Sequence, residues 1–247
     1  MSGHSKWATI KRDKEKTDSV RGRTFSKLIK EITIAARMGG GDPSGNPRLR
    51  TAIAAAKQAN MPAANVDRAI KKGTGELEGV SYEEIVYEAY GPGGTALLIE
   101  VTTDNRNRAV SEIRHLIQKN GGNMSESGSV SWMFTRQGVI SIPASAADED
   151  SLMMAALEAG AEDIKQEGDS FQVTTAPEEL EIVRGALEKS GLEIESAEVA
   201  QIPKTYVPVD SSTARQVIRL MEALDEHDDV QHVWSNFDIP DELMAGL

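Results

Sequence analysis

The spacing of apolar positions changes character twice along this chain. Between residues 20 and 38, apolar side chains recur every three to four positions. Phe25, Leu28, Ile29, Ile32 and Ala36 make one stripe of a helix turning about 100° per residue. The opposite side gathers Arg23, Lys27, Lys30 and Arg37. The stretch "GGGDPSGNP" that follows is a loop by its Gly and Pro content. Asn46-Pro47 then suits a helix cap with Pro in the first helical position. That second helix points Leu49, Ile53 and Ala56 inward and stops before Met61-Pro62, because a residue preceding Pro is steered out of helical backbone. Pro62 opens a third helix, with Val66, Ala69 and Ile70 apolar and Lys71-Lys72 in the last turn ahead of Gly73. Three short helices predict a small bundle.

From Val80 the period falls to two. "EEIVYEAYG" and "TALLIEVTT", separated by Pro92-Gly93-Gly94, predict a hairpin. A helix over about Asn105–Asn120 ends at Gly121-Gly122, and "SVSWMF" (residues 129–134) reads as a further strand. Residues 138–202 then run strand, helix, strand, strand, helix, strand, the order of a ferredoxin-like split βαβ unit. "TYVPV", a helix over Thr213–Leu224 and "VQHVWSNF" remain, and this tail is expected to complete the first sheet, which is otherwise short. The expected architecture is multidomain, α and α+β: a basic arm and three-helix domain (1–78), a discontinuous α+β domain (79–135 plus 204–247), and an inserted ferredoxin-like α+β domain (136–203).

Charge adds what periodicity cannot. Residues 1–72 hold sixteen Lys or Arg and six Asp or Glu, net +10, whereas residues 73–247 hold eleven and thirty-three, net -22. Solvated faces tend to mix signs, so a single-sign segment of this size points to a polyanionic partner. The candidate nucleic-acid contacts are Lys6, Trp7, Lys11 and Arg12 in the arm, with Arg23, Lys27, Lys30, Arg37, Arg48, Arg50, Lys57, Arg68, Lys71 and Lys72 on the helices. Arg50 and Lys57, seven apart, share a face. Residues 1–19 have almost no apolar periodicity and are expected to form an extended or disordered arm that folds on a partner. Trp7 there either stacks on a base or inserts at a groove, or else packs on the bundle. In the acidic part, "TDNRNRAV" sets Arg106 and Arg108 at a helix start, where free backbone N–H groups favour a phosphate. The alternative is pairing with Asp104 or Glu112.

Catalytic signatures are missing from the sequence. The Gly-rich loops lack P-loop and dinucleotide order, and no G-x-S-x-G elbow occurs. The four His show no metalloprotease spacing, and without Cys there are no disulfides, thiolate ligands or thiol nucleophiles. "LDEHDD" (residues 224–229) reads either as a divalent-cation site or as a solvated helix end. No cofactor is expected. The basic N-terminal stretch has no apolar run of a secretory signal, no segment approaches a membrane span, and cytoplasm is the expected compartment.

Several long motifs in order resemble the YebC family: "GHSKW" (3–7), "FSKLIKEI" (25–32), "NPRLRTAI" (46–53), "NMP" (60–62), "RAIKKGTG" (68–75), "YGPGGTA" (90–96) and "TDNRNR" (103–108). The resemblance covers essentially the whole chain. It implies three domains, one helical and two α+β, without catalytic activity. It also implies a role as a DNA-binding transcriptional regulator or, alternatively, as a ribosome-associated translation factor acting when synthesis stalls on proline-rich stretches. Protein partners for the acidic α+β domains are a further expectation.

Overall fold

The computed structural model describes residues 18–239, with side chains from Gly22 onward. Three helices come first: α1 (Asp18–Gly39), α2 (Pro47–Gln58) and α3 (Ala63–Thr74). Asn46 caps α2 by accepting the Leu49 N–H, and Pro47 sits at the first helical position, where a missing N–H costs nothing. Ile32, Ala35, Ala36, Leu49, Ala52, Ala56, Met61, Val66 and Ala69 close into one apolar core.

Gly73 does not end α3, as the sequence suggests. The helix runs on to Thr74, and the left-handed cap is Gly75, with φ 83°. Gly73 serves another purpose: a Cβ there would collide with the Thr33 carbonyl and the Ala36 side chain of α1. The missing side chain lets α1 and α3 approach closely.

The first sheet has order β3-β1-β2-β9, built from β1 (Glu83–Tyr90), β2 (Ala96–Thr103), β3 (Asn123–Met124) and β9 (Val230–Ser235). Helix α4 (Arg106–Lys119) joins β2 to β3, and α7 (Ser211–Asp225) precedes β9. A short parallel pair, β8 (Val207–Pro208) with β10 (Phe237–Asp238), lies at its margin. Alternation along β2 sends Leu97, Ile99 and Val101 into a core with Ile113, Ile117, Val217 and Leu220 of the two helices.

The second sheet has order β5-β6-β4-β7, every neighbouring pair antiparallel. Its strands β4 (Phe134–Pro143), β5 (Asp163–Glu167), β6 (Ser170–Thr175) and β7 (Ser196–Pro203) alternate with α5 (Glu149–Glu158) and α6 (Leu180–Lys189) in ferredoxin-like order. On the sheet faces turned away from their helices, Ala96, Leu98 and Trp234 meet Phe134, Val139 and Ala200 in a shared apolar cluster. The two α+β units are thus joined core to core. From this topology we propose the division 1–78, 79–135 plus 204–247, and 136–203.

One expected strand is absent. Residues 131–133 form a 3-10 turn, and the strand that starts at Phe134 belongs to the second sheet. The reason is Glu88, buried on β1. Its carboxylate accepts the backbone N–H groups of Gly128 (2.7 Å), Val130 (2.6 Å) and Ser131 (2.9 Å), donors a strand would need for its ladder.

Candidate nucleic-acid interface

The basic candidates divide into two populations. Arg68, Lys71 and Lys72 share one face of α3 at spacings of three and four, and all three are exposed. Lys57 and Arg50 on α2 are exposed as well. Among the described residues, Arg50 donates only to the backbone carbonyls of Pro43 and Ser44, and Lys57, Arg68, Lys71 and Lys72 form no ion pair. Beside them, a cleft of about 190 Å³ between the bundle and residues 79–82 is lined by Arg37, Lys72, Gly73, Ser81 and Tyr82, with no carboxylate in its lining.

The α1 candidates are not presented in this way. Lys27 Nζ lies 3.0 Å from Asp225 Oδ1 and donates to the Asp225 carbonyl at 2.7 Å. Lys30 Nζ reaches Asp229 Oδ1 at 2.7 Å and the carbonyls of Asp228 and Thr102. Arg23 lies 3.9 Å from Glu226. The face expected to meet a polyanion is docked on the acidic turn at the end of α7. Arg37 donates to the Tyr82 carbonyl and the Ser81 hydroxyl, and Arg48 bridges Glu31 of α1 and Glu84 of β1. These two carboxylates push the Arg48 pKa further up against its partial burial.

Asp229 is the centre of the docked surface. It accepts from Lys30, from Arg108 at 2.9 Å and from the Thr103 hydroxyl at 2.8 Å. Burial works to raise its pKa, but these donors outweigh it and hold the carboxyl below the ordinary Asp value. Arg108 also pairs with Asp104 at 2.8 Å, so the local-pairing alternative describes its position, while Arg106 stays exposed. Glu112 pairs instead with His227, whose Nδ1 accepts the Asp229 N–H. That bond places the ring proton on Nε2, which donates to Glu112. "LDEHDD" is therefore an ordered docking turn. Among the described residues, no group of three or more His, Asp or Glu side chains is arranged to hold a metal ion. Lys6, Trp7, Lys11 and Arg12 lie outside the described residues.

Comparison with known proteins gives the lineage. The profile of the TACO1/YebC protein N-terminal domain matches residues 5–76, and that of the TACO1/YebC second and third domain matches residues 82–237. The chain belongs to the TACO1/YebC family. A relative from Desulfosudis oleivorans named "probable transcriptional regulatory protein" is 57% identical over 243 residues, covering 98% of this chain and 99% of the relative. One of the same name from Halothermothrix orenii is 58% identical, covering 100% and 99%. The crystal structure of a conserved hypothetical protein from Aquifex aeolicus is similar with a TM-score of 0.83 at 52% identity, covering 91% of this chain and 93% of that one.

For this TACO1/YebC chain, sequence reasoning missed the acceptors on the docking turn and one aromatic. Trp132 is 64% exposed on the loop shaped by Glu88. Its indole N–H donates to the Ser129 carbonyl, which also accepts from the Tyr90 hydroxyl, and Lys204 donates to the Trp132 carbonyl. The alternation of "SVSWMF" concealed this. A signal for the docking turn was present in the match between four acids over residues 225–229 and three bases spaced along α1. Among the described residues, no helix is long and apolar enough to cross a membrane.

Proposed function

We propose that this chain is a cytoplasmic, non-enzymatic regulator of gene expression that binds nucleic acid, with DNA as its first target. The observation that carries this reading is the exposed cation face of α3, Arg68, Lys71 and Lys72, together with exposed Lys57 on α2, all without ion-pair partners among the described residues, in a chain of net charge -12. In so acidic a protein, a cluster that the abundant carboxylates leave unpaired is suited to phosphates supplied from outside. Arg50, the arm residues Lys6, Trp7, Lys11 and Arg12, and Arg106 extend the proposed surface. The names of the relatives support a role in transcription.

The acidic α+β units orient the bound bundle and offer surface to protein partners. Their net negative charge repels extended duplex, which favours a compact ribonucleoprotein as the second target. A gel-shift assay with promoter DNA beside co-sedimentation with ribosomes at moderate salt tests both. A DNA shift supports the first target, ribosome association without a shift moves the target to ribosomal RNA, and the absence of both overturns the proposal.

A further inference from the structure

The bundle is attached to the rest of the protein differently from the way the two α+β units are attached to each other. No apolar cluster among the described residues contains side chains of both the bundle and an α+β unit, whereas Leu98, Phe134, Val139 and Trp234 fuse the two sheets. The bundle is held by Lys27 to Asp225, Lys30 to Asp229, Arg23 to Glu226, Arg48 to Glu84 and Arg37 to the Tyr82 carbonyl, with Thr51 bonded to Glu181 of α6. Its exposed pairs, Arg23 with Glu226 and Arg48 with Glu84, are weakened by salt and by competing anions far more than buried apolar surface is. The buried Lys30–Asp229 pair and the buried Ile34 side chain are affected less.

Beside the Tyr82 ring, 5.8 Å from Lys30 Nζ, the groups that meet the α1 cations are carboxylates together with the backbone carbonyls of Asp225, Asp228 and Thr102, acceptors carrying negative charge. A phosphodiester backbone presents the same chemistry. We infer that the Arg23, Lys27 and Lys30 face of α1 is a second nucleic-acid-binding surface held in reserve. The turn 225–229 occupies it as an internal polyanion, and duplex DNA displaces that turn.

This inference rests on the proposed nucleic-acid function and adds to it a competition with a defined internal rival. Lys72 of α3 lines the same cleft as Tyr82, whose ring lies 5.8 Å from Lys30 Nζ, so phosphates bound at α3 lie beside the docked edge, and each ion pair exchanged gives the DNA a further hold on the bundle. The observed affinity is reduced by the fraction of molecules in which α1 remains docked.

The test uses the full chain with Asp225→Asn and Glu226→Gln together. These two residues form the rim of the turn, at 21% and 66% side-chain exposure, and the Asp229 centre is left intact. Exposed Glu149→Gln with Asp150→Asn on α5 provides a control with the same change in net charge. Affinity for a DNA duplex is read by fluorescence anisotropy, with an RNA hairpin of equal phosphate number beside it. Because the chain has no Cys, dyes at Ala63→Cys and Ser190→Cys report the distance between the bundle and the ferredoxin-like unit by energy transfer.

The rim variant is expected to bind duplex DNA at least about fivefold more tightly than the control variant, and DNA is expected to lengthen the dye separation. Equal affinities of rim and control variants, or an unchanged dye separation on saturation with DNA, overturn the inference alone. A gain confined to the RNA hairpin overturns the choice of DNA as the competitor. Failure of the unsubstituted chain and both variants to bind either nucleic acid overturns the proposed function itself.

Discussion

Lys30 Nζ lies 2.7 Å from Asp229 Oδ1, with the two side chains only 11% and 5% exposed, and this pair joins the first helix of the chain to a turn 199 residues away. Such an ion pair is expensive to break from one side, because the remaining charge is left buried. Lys30→Ala is expected to destabilise the protein by about 2–3 kcal/mol, below the about 3–5 kcal/mol of a fully orphaned ion, because Arg108 and Thr103 still serve the carboxylate. Chemical denaturation of Lys30→Ala, Asp229→Asn and the double variant measures the coupling. Strict additivity would show that the two side chains do not stabilise one another.

Acid is expected to weaken the same centre. Asp229 has a lowered pKa in the fold relative to the ordinary value of 3.8, so the unfolded chain takes up the proton more readily. Its contribution to stability is present above pH 3.8 and is lost as pH falls through the lower, folded value. Denaturation midpoints of the wild type and Asp229→Asn are expected to differ at pH 7 and to converge in that acidic window. A gap that stays constant on acidification contradicts the assignment.

Glu88→Gln replaces one acceptor oxygen of a three-donor cradle with an amide NH2, leaving at least one of the Gly128, Val130 and Ser131 donors poorly served. A cost of about 1–3 kcal/mol is expected, concentrated in the 125–133 loop. Hydrogen exchange should show faster exchange at those three amides and little change in the α5 and α6 helices. Unchanged protection at all three would mean that the carboxylate does not organise the loop.

Gly73→Ala places a methyl group against the Thr33 carbonyl and the Ala36 side chain. Rigid backbone cannot rotate aside, so α1 and α3 must separate, at a cost of about 1–3 kcal/mol. Gly22→Ala, where nothing lies within 4 Å, is the matching control and is expected to be neutral or slightly stabilising in thermal melts.

The element order was legible because each unit keeps one period: apolar residues at three and four in "FSKLIKEI", alternation in "TALLIEVTT", and a cap at Asn46-Pro47. Where prediction and structure part, a group distant in sequence has decided the outcome. The Glu88 carboxylate captured the amides of an expected strand, and the Thr33 carbonyl and Ala36 side chain claimed the space beside Gly73. For the candidate site, sequence reasoning recognised that the N-terminal segment is basic. It did not distinguish Lys71 and Lys72, which face solvent, from Lys27 and Lys30, which face Asp225 and Asp229. Charge is local in composition, but its pairing depends on which elements the fold brings together.

The salt dependence of DNA binding by the full chain, compared with that of the Arg68→Ala, Lys71→Ala, Lys72→Ala triple variant, tests the central claim most directly. If the α3 face holds phosphates, the slope of log K against log salt on duplex DNA becomes shallower by about 0.9 for each phosphate no longer neutralised, about 2.7 for three, and affinity falls across all sequences alike. An identical slope and affinity in the two proteins would contradict the account.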